Sequence, residues 1–159
     1  MGVGCGFLPS AKLEEPLGHI ANSRAVAGGG PPIEDDYLGI VIEDSLQDST
    51  ALQRLTVLAR RLYGAWEFVL VRVPVGELRQ QVQHLQQNMV TDDTWYCHFF
   101  RADELLVVFR DATFAVTTDP ASWTPAIEHG LVRGVPRDQL DFHPRTRDTA
   151  EAFFRVRCP

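Results

Sequence analysis

Short apolar runs rich in β-branched and aromatic residues predict five β-strands along the chain. These strands are expected at residues 37–42, 66–73, 95–100, 104–109 and 113–116. Three-residue turns, Arg101-Ala102-Asp103 and Arg110-Asp111-Ala112, separate the last three strands. Because the turns are this short, we expect the last three strands to form an antiparallel meander.

Apolar residues at helical spacing predict three helices. The first is expected at residues 48–62, where Leu52, Leu55 and Leu62 share one face and Gly64 follows as a stop signal. The second is expected at 75–89, with Leu78, Val82, Leu85 and Met89 buried and the glutamines facing water; these are Gln80, Gln81, Gln83, Gln86 and Gln87.

The third helix is predicted by two start signals, Asp119-Pro120 and Thr124-Pro125, of which the first is expected to form a short turn. Its inner face is expected to hold Trp123, Ile127 and Leu131, and Gly134 and Pro136 end it. After it, Leu140 and Phe142 are expected to point into the core.

The order β-α-β-α-β-β-β-α predicts a single α+β domain. Strands separated by helices favour parallel pairing, whereas the final meander is antiparallel. The expected architecture is therefore a mixed five-stranded sheet with about three packed helices. A ferredoxin-like arrangement is only a loose comparison, because its order is βαββαβ.

Composition divides the chain into three parts. Residues 1–36 are rich in Gly and Pro, which predicts a flexible N-terminal extension or a misassigned gene start. Residues 37–144 hold all the predicted strands and form the α+β domain. Residues 145–159 are expected to be a C-terminal tail, in which Phe153 and Phe154 offer apolar contacts.

Charge and cysteine content argue against several classes of protein. The 15 Lys and Arg against 21 Asp and Glu give a net charge of −6, which disfavours nucleic-acid binding. Cys5, Cys97 and Cys158 form no CxxC pair, so neither a disulfide framework nor a zinc motif is expected. No apolar run suits a membrane span and no signal peptide is evident, so we expect a cytoplasmic protein without membrane contact.

His98 is the foremost candidate for chemistry. Strand alternation places it on the same face as Tyr96, and with Arg110 nearby the pair would suit acid–base work or anion binding. The alternative is a half-buried histidine that hydrogen bonds within the sheet. Cys97 falls on the opposite face, so it cannot form a dyad with His98 and is expected to be an inert buried thiol.

An acidic group follows the first strand, where sites often occur in α/β sheets. Glu43 and Asp44 are candidate ligand-binding residues, as are Arg110 and Trp95. Helix capping explains the acidic residues, Asp48 included, equally well. The five histidines show no metal-ligand spacing, so we expect neither a metal nor a cofactor.

Two aromatic motifs resemble a known family. One is Trp95-Tyr96-Cys97-His98-Phe99 followed by the strand at 104–109, and the other is the ending GVPRDQLDF at 134–142, preceded by Trp123 and Glu128-His129-Gly130. Together they resemble a family of small uncharacterised prokaryotic proteins over about residues 37–144. The family has no established activity, so the resemblance implies domain limits and fold class but no catalytic residue.

Two function classes remain open. The first is a non-enzymatic ligand- or protein-binding module, which the absence of catalytic signatures favours. Such a module would self-associate as a homodimer, or bind another protein, at an exposed sheet edge. The alternative is a small enzyme that uses His98 with Tyr96 and the loop of Glu43 and Asp44.

Overall fold

A computed structural model describes residues 36–142 and 146–155. They form one α+β domain around a six-stranded antiparallel sheet of order β2-β3-β1-β4-β5-β6. The strands are β1 (Tyr37–Ile42), β2 (Thr56–Tyr63), β3 (Trp66–Val73), β4 (Tyr96–Arg101), β5 (Glu104–Phe109) and β6 (Thr113–Val116). The α-helices are α1 (Leu78–Asn88), α2 (Thr124–Val132) and α3 (Arg147–Arg155). The predicted N-terminal extension lies outside the described residues, apart from Asp36.

The helix predicted at 48–62 is wrong. Ser49–Arg54 form a 3-10 helix that begins at the predicted cap Asp48, and the chain then extends into strand β2. Gly64 does not end a helix. It lies in the tight turn between Tyr63 and Trp66, which pair directly, and its φ of 62° suits glycine. The leucines recur every three to four residues because they are spread over two successive short elements, the 3-10 helix and β2, and not because they share one helix face.

The extra strand corrects the predicted topology, which had five strands and a mixed sheet. Strands β3 and β4 both pair antiparallel with β1, one on each side, so they run parallel to each other without being neighbours. Helix α1 connects them across β1. Counting the six-residue 3-10 helix, the described residues hold four helices of that length or more rather than three. The order β-β-β-α-β-β-β-α-α is only loosely ferredoxin-like.

The other five strands and helices α1 and α2 lie close to their predicted positions, whereas no helix was predicted at α3. Leu140 and Phe142 are buried as expected, but Leu131 of α2 is 41% exposed rather than buried. Two glutamines of α1 also differ, because Gln81 is buried and Gln86 is half-buried instead of facing water. Gln86 is drawn inward by hydrogen bonds to the β5–β6 turn, to the carbonyl oxygens of Phe109 and Ala112.

Two hydrophobic cores lie on opposite faces of the sheet. The α1 face is mainly aliphatic, with Val41, Val69, Val71, Leu85 and Met89 fully buried. The face covered by α2 and α3 is rich in aromatic side chains; these include Phe68, Trp95, Tyr96, Phe100, Phe109, Trp123 and Phe142. Helix α3 lies within the segment assigned to the tail, and its Ala150 is fully buried in this second core. No helix in the described ranges is long and apolar enough to cross a bilayer.

Candidate functional site

Tyr96 and His98 lie side by side on the aromatic face, as the alternation of β4 predicts. Their ring centroids are 5.0 Å apart, and the ring of Phe142 packs edge-on against both, at 5.7 Å from Tyr96 and 6.0 Å from His98. The Tyr96 hydroxyl donates a hydrogen bond to the backbone carbonyl of Gln139. This bond holds the 136–142 segment against the sheet.

Cys97 faces the opposite, aliphatic core. Burial raises the pKa of its thiol to about 12, so the thiolate needed for nucleophilic attack is not formed at neutral pH. The thiol is a small apolar group in this core, and it shares no face with His98.

The acidic loop after β1 makes its contacts toward the β2–β3 hairpin. Glu43 accepts a hydrogen bond from Arg60 of β2, and Arg60 also lies 3.5 Å from the carboxylate of Glu67. Asp44 accepts from the backbone N–H of Glu67 at 3.1 Å. These contacts do not bring the loop to Tyr96 and His98.

The third acidic residue of this loop region, Asp48, caps the 3-10 helix that follows. Its side chain accepts a hydrogen bond from the backbone N–H of Thr50 at 2.8 Å. That bond lowers the pKa of Asp48, because it favours the charged carboxylate. The predicted capping role is confirmed, although the capped element is a 3-10 helix.

The two other predicted ligand contacts lie apart from each other. Arg110 donates from Nε to the carbonyl oxygen of Met89, 3.3 Å away at the end of α1, so it lies on the α1 side and not beside His98. Trp95 is buried and packs edge-to-face on Trp66, with ring centroids 6.2 Å apart. Arg110, just past the end of β5, and His98 therefore face opposite sides of the sheet.

The sequence reasoning missed a polar cluster on the aromatic side. His129 Nε2 lies 3.1 Å from Oδ1 of Asp111, and Arg133 lies 3.6 Å from Oδ2. The imidazole packs against the rings of Phe109 and Phe114, at 4.9 and 5.3 Å. The four-residue spacing between His129 of α2 and Arg133 at its C-cap was the available signal.

The electrostatic balance at Asp111 favours its charged form. Its partial burial acts to raise the pKa of the carboxyl, but the hydrogen bond from His129 and the positive charge of Arg133 outweigh burial, and the pKa is lowered. The cluster therefore ties the β5–β6 turn to helix α2 through a charged carboxylate.

Three depressions on the surface of the described residues lie beside polar side chains. One of about 430 Å³ lies between residues 91–94 and 132–134, one of about 260 Å³ between β1, the β4–β5 turn and the start of α3, and one of about 480 Å³ beside α1. Across residues 36–142 and 146–155, no group of three or more His, Cys, Asp or Glu is placed to hold a metal ion.

No family model matches this chain, and neither a curated protein nor a solved structure matches it. The resemblance noted in the sequence therefore stays a prediction.

Proposed function

We propose that this protein is a non-enzymatic binding module whose partner is a second copy of the same chain, bound along the open edge of β2. The observation that supports the proposal is the length and exposure of this edge. Strand β2 has eight residues and pairs with β3 alone among the described strands. Three of its apolar side chains are exposed, and Leu62 is 67% accessible.

The opposite edge of the sheet is shorter. Strand β6 has only four residues, whereas helical segments contact both edge strands: Pro120–Trp123 and α2 at β6, and Ser49–Arg54 and α3 at β2. Short or covered edge strands are a common way to prevent pairing with another chain. The contrast between the two edges favours β2 as the interaction site.

The features that usually keep an edge strand from pairing with another chain, a bulge and charged side chains, are weak in β2. A bulge interrupts the pairing between Val57 and Ala59, which protects only the start of the strand. Arg60 is neutralised by Glu43 and Glu67. The guanidinium of Arg61 lies over the Phe153 ring, 4.4 Å from its centroid. The two charges that would repel a neighbouring strand are therefore engaged inside the protomer.

Light scattering coupled to size exclusion tests this proposal on the full chain. We expect the wild type to be a dimer and Leu62→Glu to raise the dissociation constant at least tenfold, because it places a charge at the most exposed apolar position of the paired edge. The matched control is Val132→Glu, since Val132 is 85% exposed on α2, away from β2. This control should remain dimeric.

Two results would overturn the proposal. One is a wild-type protein that stays monomeric at about 100 μM, a concentration at which only a very weak dimer escapes detection. The other is an equal loss of association in both variants, which would indicate a general charge effect rather than pairing at β2.

A small enzyme using Tyr96, His98 and the acidic loop is the less supported alternative. The loop's contacts lie on the β2–β3 hairpin. The Tyr96 hydroxyl is also already engaged with the Gln139 carbonyl.

A further inference from the structure

The depression of about 480 Å³ beside α1 is lined by Gln83, Gln86, Gln87 and Arg110. Its lining is unusual for a protein with a net charge of −6, because it contains one arginine, three carboxamides and no carboxylate. Carboxamide N–H groups and a guanidinium are both hydrogen-bond donors.

Arg110 is held in a defined position. Its Nε donates to the carbonyl oxygen of Met89, 3.3 Å away, which leaves the two terminal nitrogens of the guanidinium to other partners. In the described part of the chain, Arg110 makes no ion pair with a carboxylate. The paired terminal nitrogens match the two oxygens of a carboxylate or phosphate group.

The neighbouring charges leave this guanidinium uncompensated. Helix α1 contains no acidic residue, and Arg79 adds a second positive charge one turn before Gln83. Asp111 follows Arg110 directly in the chain, but its carboxylate pairs with His129 of α2 and with Arg133 at the C-terminal end of that helix. The local charge is therefore positive on an acidic protein.

The floor of the depression is rigid because Gln86 is fixed. Its side-chain amide donates to the carbonyl of Phe109 at 2.8 Å and contacts the hydroxyl of Thr113 at 3.2 Å. Gln83 and Gln87 are exposed on either side, with carboxamides available to a ligand. The part of the site formed by Gln86 therefore needs no ordering when an anion binds, and the cost of ordering is confined to the exposed side chains.

We infer that this depression is a binding site for an oxyanion, either a carboxylate or a phosphate group, held by Arg110 and flanked by Gln83 and Gln87. This site is independent of the β2 edge and of the proposed self-association. It lies at α1 and β5, whereas β2 is at the far edge of the sheet.

Titration with inorganic phosphate and, separately, with sodium acetate tests the inference, each against sodium chloride at equal ionic strength. The readout is the ¹H–¹⁵N spectrum, including the side-chain amide signals of the glutamines and the Nε–H of Arg110. We expect saturable shifts of these signals with at least one of the two anions. Saturation by phosphate alone, by acetate alone or by both identifies the chemistry of the bound group.

The variant Arg110→Gln should weaken that binding at least tenfold, since a charge-assisted hydrogen-bond pair is lost. The same substitution at the exposed Arg137, remote from the depression, removes an equal charge and should leave binding within about twofold. Unchanged backbone amide signals elsewhere show that the variants remain folded. Shifts that rise linearly without saturation for both anions, or equal weakening in both variants, would overturn the inference.

Discussion

The two faces of the sheet hold the same β5–β6 turn by different chemistry. From the α1 face, Gln86 binds the turn through neutral hydrogen bonds to Phe109 and Thr113. From the α2 face, Asp111 of the turn is held by a hydrogen bond with His129 and an ion pair with Arg133. The two cores also differ: the core under α1 is mainly aliphatic, and the core under α2 is rich in aromatic rings.

The difference shows how one turn distributes two opposite charges. Arg110 and Asp111 are neighbours in sequence, yet the carboxylate is neutralised on the α2 face while the guanidinium is directed to the α1 face. Two opposite charges that would cancel if they lay together are thereby separated. The separation explains why an acidic protein presents a locally positive depression.

The largest effect is expected from the aromatic face. Phe142 is fully buried and packs edge-on against Tyr96 and His98. Phe142→Ala should lower the free energy of unfolding by about 3–5 kcal/mol, because a large cavity is left beside two rings. Urea denaturation measures the loss. Leu131→Ala, at an exposed site on α2, should stay within about 0.5 kcal/mol of the wild type.

A loss below about 1 kcal/mol for Phe142→Ala would contradict this account of the aromatic face. It would mean that the 136–142 segment covers Tyr96 and His98 without stabilising them. A folded Phe142→Ala protein would also leave His98 more open to solvent.

The next largest loss of stability is expected from adding a side chain to a glycine, and one glycine on each face of the sheet allows a comparison. A Cβ on Gly39 of β1 would meet the Phe99 ring at 2.5 Å and Val71 Cγ2 at 2.9 Å, in a strand held from both sides. A Cβ on Gly130 of α2 would also meet a side chain at 2.5 Å, but there the neighbour is the end of Leu140. Of these neighbours, only the Leu140 side chain can easily change its conformation to make room.

Gly39→Ala should therefore cost about 1–3 kcal/mol through overpacking. Gly130→Ala should cost less than about 1 kcal/mol, because the helix propensity of alanine offsets part of the clash. Thermal or urea unfolding of both variants makes the comparison. Equal losses would show that Leu140 is as firmly held as Phe99.

Much of the fold was predictable because its signals are local. Local sequence alone predicts β3 to β5 from their aromatic and β-branched runs, and it predicts the start of α2 from its proline. Strand β2 was not predictable in this way. Its leucines have helical spacing, and only the pairing of Tyr63 with Trp66 across Gly64 shows that the segment is one arm of a hairpin.

The candidate site was predictable only within single elements. Strand alternation correctly joined Tyr96 to His98 and separated Cys97 from them. Contacts between elements, such as Asp111 with His129, depend on how α2 crosses the sheet, which no local pattern encodes. The position of Arg110 on the α1 face depends in the same way on where Met89 ends its helix.

The smallest expected effect is on the pH dependence of stability, which distinguishes the contacts of Asp111 from those of Gln86. The folded state lowers the pKa of Asp111 from its ordinary value of 3.8, so the unfolded chain takes up its proton first as the pH falls. The stability that this carboxylate contributes is present above pH 3.8 and is lost as the pH falls through its folded-state value. For an exposed pair it amounts to less than about 1 kcal/mol.

Asp111→Asn should therefore be slightly less stable than the wild type at pH 7, and the difference should shrink toward pH 3. Gln86→Ala removes the neutral contact, and its difference from the wild type should be the same at both pH values, because no charge is lost. Urea unfolding of the three proteins at both pH values measures this, and a pH-independent Asp111→Asn difference would show that Asp111 acts only as a neutral hydrogen-bond acceptor.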